Sequence, residues 1–164
     1  MAGLSLKHDK TKWNSLEGPQ NRLLMHPETG AEHFGYVPEM KSKDETIHAG
    51  PIILRVGRHK GPNRGFGVNH IWDEHHPDLI KQGYTTAIDS VKFVSTIIQP
   101  GVPIYCEFND IRGKHRPTVL RTSVGLVILE PLHLGNGELI YSVITAYMKR
   151  NASGTKIGEI KKAP

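Results

Sequence analysis

A single cysteine stands in this chain of 164 residues. Cys106 alone excludes an internal disulfide framework and any multi-cysteine zinc site. It lies in the apolar run Ile104-Tyr105-Cys106-Glu107-Phe108, where a buried structural thiol is the better reading than a nucleophile. Long apolar runs are missing too. No stretch approaches the roughly 18 apolar residues of a membrane span, so no membrane partner is expected. The start, Met1-Ala2-Gly3-Leu4-Ser5-Leu6-Lys7-His8, has no apolar core of a secretory signal. Action in the cytoplasm is therefore expected, either directly or after delivery to a target cell within a secreted or phage-borne protein. Hydrophobic residues make up only 37%, below the globular share, so part of the chain is expected outside a packed core. Acidic residues are the scarcer charge: 16 Asp+Glu against 21 Lys+Arg, net +5. A basic surface favours nucleic acid, anionic lipid or an acidic protein.

What is present falls into two parts. Residues 1–48 are polar, broken by Gly18-Pro19, His26-Pro27 and Val37-Pro38, and read as a poorly structured N-terminal arm or linker. Residues 49–164 read as one domain. A short apolar run at 51–56 predicts a strand. Residues 57–67 read as a basic, glycine-rich loop, and 68–76 as a helix with Val68, Ile71, Trp72 and His75 on one stripe, stopped by Pro77. A second helix is predicted over 85–98, capped by Thr85 or Thr86, with Asp89 in its first turn and Pro100-Gly101 ending it. Strands follow at 104–108, 118–122, 124–130 and 139–147, with a possible edge strand at 156–160. The expected class is α+β: two N-terminal helices packed on a four- to five-stranded antiparallel sheet.

The chemistry centres on Arg64-Gly65-Phe66-Gly67-Val68-Asn69-His70-Ile71-Trp72-Asp73-Glu74-His75-His76-Pro77. His70 opens the helix after two glycines, where free N–H groups and the helix dipole favour a phosphate. His75 lies about 140° further round, so it flanks a site rather than stacking on His70. His76, just before proline, reads as a solvated helix end. The run is not His-Glu-x-x-His, so a zinc-protease geometry is missing. Arg58, His59, Lys60 and Arg64 suit phosphate contact, and Arg112, Lys114 and Arg116 form a second basic cluster on a predicted strand turn. In the last long strand, alternation places Tyr141, Val143, Thr145 and Tyr147 on one face, which fits base stacking and hydroxyl donation or equally a hydrated face of β-formers. Arg121, among apolar neighbours, is either an exposed ladder residue or an anion ligand.

These parts fit an endoribonuclease that needs no metal and no cofactor. A base takes the 2′-OH proton, the 2′ oxygen attacks phosphorus, an acid protonates the leaving 5′ oxygen, and a cation steadies the phosphorane. The residues assigned are His70 as base or acid, His75 as partner, Arg121 as clamp, and Thr145 with Tyr147 positioning phosphate or base. Arg58, His59, Lys60, Arg64, Arg112, Lys114, Arg116 and Tyr141 would contact substrate. The product is a 2′,3′-cyclic phosphate.

Over residues 50–150, the segments Arg-Gly-Phe-Gly-x-x-His-Ile-x-x-x-His (64–75) and Tyr-Ser-Val-Ile-Thr-Ala-Tyr (141–147) resemble the Barnase–EndoU–colicin–RelE-like ribonuclease superfamily, which includes phage nuclease-like domains and bacterial toxin modules. The resemblance implies RNA, often transfer RNA, as substrate, a toxin role, and a cognate immunity or antitoxin protein, expected to be acidic. His70 and His75 match its helical histidines, Arg121 a sheet cation, Thr145 and Tyr147 the end of its last strand. Three other readings stay open: a non-catalytic nucleic-acid-binding or phage-associated module; a zinc hydrolase using His70, Asp73, His75 or His76; and, most distantly, an ADP-ribosyltransferase built on Arg121-Thr122-Ser123 and Glu130.

Overall fold

A computed structural model describes residues 15–42, 45–107 and 116–162. Within them the chain runs β1 (Leu23–Leu24), β2 (Gly35–Val37), β3 (Met40–Ser42), β4 (Glu45–Ile47), β5 (Gly50–Arg55), β6 (Arg58–Gly61), β7 (Arg64–Phe66), α1 (Gly67–Lys81), α2 (Asp89–Ile97), β8 (Pro103–Cys106), β9 (Thr118–Arg121), β10 (Gly125–His133), β11 (Leu139–Tyr147) and β12 (Thr155–Glu159). No helix is long and apolar enough to cross a membrane among the described residues.

The expected α+β class, two helices on a four- to five-stranded antiparallel sheet, is not what forms. The main sheet has eight strands in the order β1-β5-β11-β10-β9-β8-β12, with β2 also on β5, and it is mixed, because β5 and β11 run parallel. The strands after α2 do form the expected meander. The difference lies in the segment read as an arm. Leu23 and Leu24 pair with Arg55 and Leu54, residues 35–37 pair with residues 50–52, and β3 and β4 form a separate hairpin. Leu24, Phe34, Val37, Met40 and Ile47 enter the main core. The burial of these side chains offsets the entropy of ordering a polar segment. The two ends of the sheet meet: Tyr36 N–H donates to the Lys161 carbonyl at 3.0 Å, and Lys161 N–H donates back at 2.9 Å.

The register fixes which side chains share a face. Val127, Leu129 and Pro131 of β10 oppose Ala146, Val143 and Tyr141 of β11, whereas Leu126, Ile128 and Glu130 oppose Tyr147, Thr145 and Ser142. Simple alternation would put Tyr141, Val143, Thr145 and Tyr147 together. It fails because the pairing slips between Ile128 and Leu129, leaving Ile144 as an extra residue in β11. A bulge of one residue exchanges the faces beyond it. Val127, Leu129, Val143 and Ala146 join Ile52, Leu54 and Ile104 with Phe93, Val94 and Ile97 of α2 in the core. On the opposite face lie Ile53, Arg55, Ser142, Thr145 and Tyr147, with a second small cluster of Leu23, Ile53 and Ile140.

Helix α1 continues through Pro77 to Lys81 rather than stopping before it. An internal proline costs about 3 kcal/mol. The fully buried Leu79 beyond it, packed in the core, anchors the last turn. The basic loop is a hairpin, β6–β7, ending directly in α1.

Candidate active site

The hairpin β6–β7 and the first half of α1 build the site. Along β6, Arg58 and Lys60 are exposed while His59 between them is half-buried and turned toward α1. His70 lies in the first turns of α1 and is only 3% exposed. The two Nδ1 atoms stand 3.1 Å apart and the rings stack at 5.3 Å with 22° between their planes. At that separation one Nδ1 carries a proton and the other offers its lone pair. Burial pushes the His70 imidazole below its ordinary pKa; Glu74 pulls it back, His59 and His75 push it down, and Asp73 opposes them. Burial thus favours the neutral form of His70.

Local backbone chemistry permits this approach. Gly65 pairs with His59 and holds φ +137°. A Cβ there would run into the Arg58 carbonyl and stand 2.9 Å from His70 Nδ1. Only glycine lets the hairpin close on the imidazole. Asn63 takes φ 57° at the hairpin tip, a conformation that asparagine tolerates. Its N–H donates to Glu74 Oε1 at 2.6 Å, tying tip to helix. His59, His70 and Glu74 have ligand-type atoms all within 4.8 Å of one another.

A turn further along α1, the His75 ring stacks on Tyr147 at 4.8 Å and 29°. Burial lowers its pKa, against Glu74 and Asp78, which raise it. Thr145 shares the sheet face of Tyr147. Its Oγ1 is buried and has no hydrogen-bond partner among the described residues. His76, expected as a solvated helix end, is half-buried inside α1, and its Nδ1 contacts the Trp72 carbonyl at 2.9 Å.

The cation on this face is Arg55, which the sequence pattern hides inside an apolar strand. Its Nε donates to Ser142 Oγ at 2.8 Å, its Nη1 to Asn21 Oδ1 at 2.8 Å, and its guanidinium lies 3.9 Å from the centre of the Phe66 ring. Burial brings its pKa down to about 10, against Glu130, which raises it, so it stays charged at neutral pH. A cleft of about 300 Å³ opens there, lined by Gln20, Asn21, Arg55, Phe66 and Glu130. Phe66 is the residue just before α1, so cleft and histidine pair are neighbours along the chain.

Several expected site residues lie elsewhere. Arg121 follows Val119, which faces the core opposite Val127, and its Nη1 donates to the Thr96 carbonyl of α2 at 2.5 Å. It sits across the sheet from Thr145 and Tyr147 and is not brought together with them. Tyr141 is on the core face, donates to the His48 carbonyl at 2.5 Å, and burial raises its pKa to about 12. It is not a base-stacking platform. Arg116 precedes β9, separated from β11 by β10, while Arg112 and Lys114 lie outside the described residues. Arg64 is exposed on β7 beside the pair. No family model, no curated protein and no solved structure matches this chain.

Proposed function

We propose that the protein is an endoribonuclease that cleaves RNA without a metal ion, by attack of the 2′-OH on the adjacent phosphorus. The observation that carries this is the imidazole pair His59–His70, in contact at 3.1 Å beneath a hairpin whose outer positions are Arg58, Lys60 and Arg64. One neutral imidazole accepts the 2′-OH proton as the O2′–P bond forms. The other, protonated, donates to the 5′ oxygen as its bond to phosphorus breaks. The hairpin cations draw in the backbone and offset charge on the phosphorane. His75 stacked on Tyr147 offers an aromatic surface for the flanking nucleotide. Following the family resemblance, the substrate is a structured cytoplasmic RNA such as transfer RNA, and an acidic inhibitor protein complements the net charge of +5.

The test is incubation of total RNA with the protein in EDTA, beside His59→Ala and His70→Ala, with analysis of the new ends. Wild type is expected to leave 2′,3′-cyclic phosphates, both variants to lose at least tenfold in rate, and DNA, lacking the internal nucleophile, to stay intact. RNA that is bound yet uncut would replace this reading with a non-catalytic nucleic-acid-binding module.

A further inference from the structure

We infer that His59, His70 and Glu74 form a site for a divalent transition-metal ion of the zinc class, and that filling it silences the imidazole pair. The first half stands on the donor geometry alone; the second rests on the reading of the pair as acid–base machinery. Two nitrogen ligands at about 2.0–2.1 Å from a tetrahedral ion stand about 3.3 Å apart. The observed Nδ1–Nδ1 separation is 3.1 Å, so the rings are already spaced as ligands of one ion. Binding exchanges the shared Nδ1 proton for the metal: the ring that carried it passes to its Nε2–H tautomer through solvent, one N–H bond breaking as the other forms, and each Nδ1 lone pair binds the ion.

Glu74, one helical turn after His70, brings the third donor, and all three donor atoms already lie within 4.8 Å. A small rotation of its side chain closes the remaining distance. Its Oε1 accepts the Asn63 N–H at 2.6 Å, the kind of outer contact that orients a carboxylate ligand. Two imidazoles and one carboxylate suit zinc, cobalt or nickel and not magnesium or calcium, which prefer all-oxygen shells. Three protein donors leave a fourth position for water. The ligands come from β6 and α1, held together by Gly65, so the site exists only when the hairpin is closed on the helix. With both Nδ1 lone pairs committed to the metal, neither ring passes its proton to the other, and the ion occupies the space where substrate must approach.

The experiment is calorimetric titration of the full chain with zinc chloride and then magnesium chloride, for wild type, His59→Ala, His70→Ala, Glu74→Gln and the exposed His133→Ala. Wild type and His133→Ala are expected to take one tight zinc. The other three variants should bind at least tenfold more weakly, and magnesium should give no heat. Tight zinc binding that survives both histidine changes, or equal binding of magnesium, overturns the site. Stoichiometry and the preference for zinc over magnesium are read on wild type alone, so a variant that fails to fold does not shield the proposal; no tight zinc on wild type overturns it. In the second arm, RNA cleavage is measured in EDTA and with equimolar zinc, and a tenfold fall on adding zinc is expected. Cleavage that rises with bound zinc refutes silencing and leaves the site standing. RNA uncut in both conditions removes the nuclease reading and silencing with it, and the titration still decides the metal site.

Discussion

Replacing Arg55 with methionine tests how the site face is held together. Arg55 is 5% exposed; its guanidinium donates to Ser142 and Asn21 and lies against the Phe66 ring. Hydrogen bonds to a charged group contribute about 1.5–3 kcal/mol each. Against them stands the cost of keeping a guanidinium away from water, visible in a pKa lowered to about 10. Methionine avoids that cost and keeps most of the volume, but it strands Ser142, which is fully buried. The expected net loss for Arg55→Met is about 2–4 kcal/mol. Ser142→Ala removes the other end of one bond and should cost about 1–2 kcal/mol. The double variant should lose less than the two singles combined, with a coupling energy of about 1.5–3 kcal/mol, the size of the one bond they share. Urea denaturation of all four proteins, with m-values compared, measures it. Additivity within about 0.5 kcal/mol would refute the reasoning, because the Arg55–Ser142 bond would then carry no energy.

Gly65→Ala forces a Cβ into φ +137°, at a cost of about 1–3 kcal/mol, and pushes on His70 Nδ1; RNA cleavage should fall far more than the shift in urea midpoint alone explains. Arg121→Ala removes an exposed donor on the far face of the sheet, so cleavage should remain at the wild-type rate with less than about 1 kcal/mol of stability lost; a large rate loss would return Arg121 to the site. Tyr141→Phe gives up one bond to the His48 carbonyl for about 1 kcal/mol, and should leave RNA affinity unchanged in a filter-binding assay. His26 accepts the Glu28 and Thr29 N–H groups at its Nδ1, and burial holds its pKa below the ordinary value, opposed by Glu28 and assisted by His33. The fold therefore favours the neutral ring. Its contribution is complete above the unfolded pKa of about 6.5 and is lost as pH falls toward the lower folded value. Urea midpoints at pH 7.5 and 5.0 should show a smaller drop in His26→Gln than in wild type; equal drops would remove His26 from the account.

The helices and the meander were legible because their signals are local. The β-branched runs that become β8 to β11 each carry their own pattern, and Asp89 does lie in the first turn of its helix, accepting the Thr85 and Thr86 N–H groups at 3.0 Å, although the helix begins at Asp89 and neither threonine caps it. The segment before residue 48 was not legible, because β1 and β2 are two and three residues long and are specified by partners in β5. Within the site, the glycines, His59 and His70 are marked by local pattern, whereas the stacking of His75 on Tyr147 joins α1 to β11 and no local pattern carries it. The contact of His59 with His70 depends on a hairpin that read as a loop. The cation was misplaced for a different reason. Arg121 looked conspicuous among apolar neighbours and is exposed, while Arg55 ends an apolar strand and is buried by three groups distant in sequence. A one-residue bulge at Ile144, invisible to alternation, decided which hydroxyls face the imidazoles.

The reciprocal bond pair between Tyr36 and Lys161 joins segments from opposite halves of the polypeptide. Until residue 161 is available, Tyr36 keeps the N–H and carbonyl of this bridge unpaired on the outer edge of β2, a place where strangers can pair. A growing chain therefore cannot finish this architecture early, and its assembly waits on the slow closure of a very long loop. Versions clipped a few residues short of that point should be prone to sticking to one another, however intact their histidines.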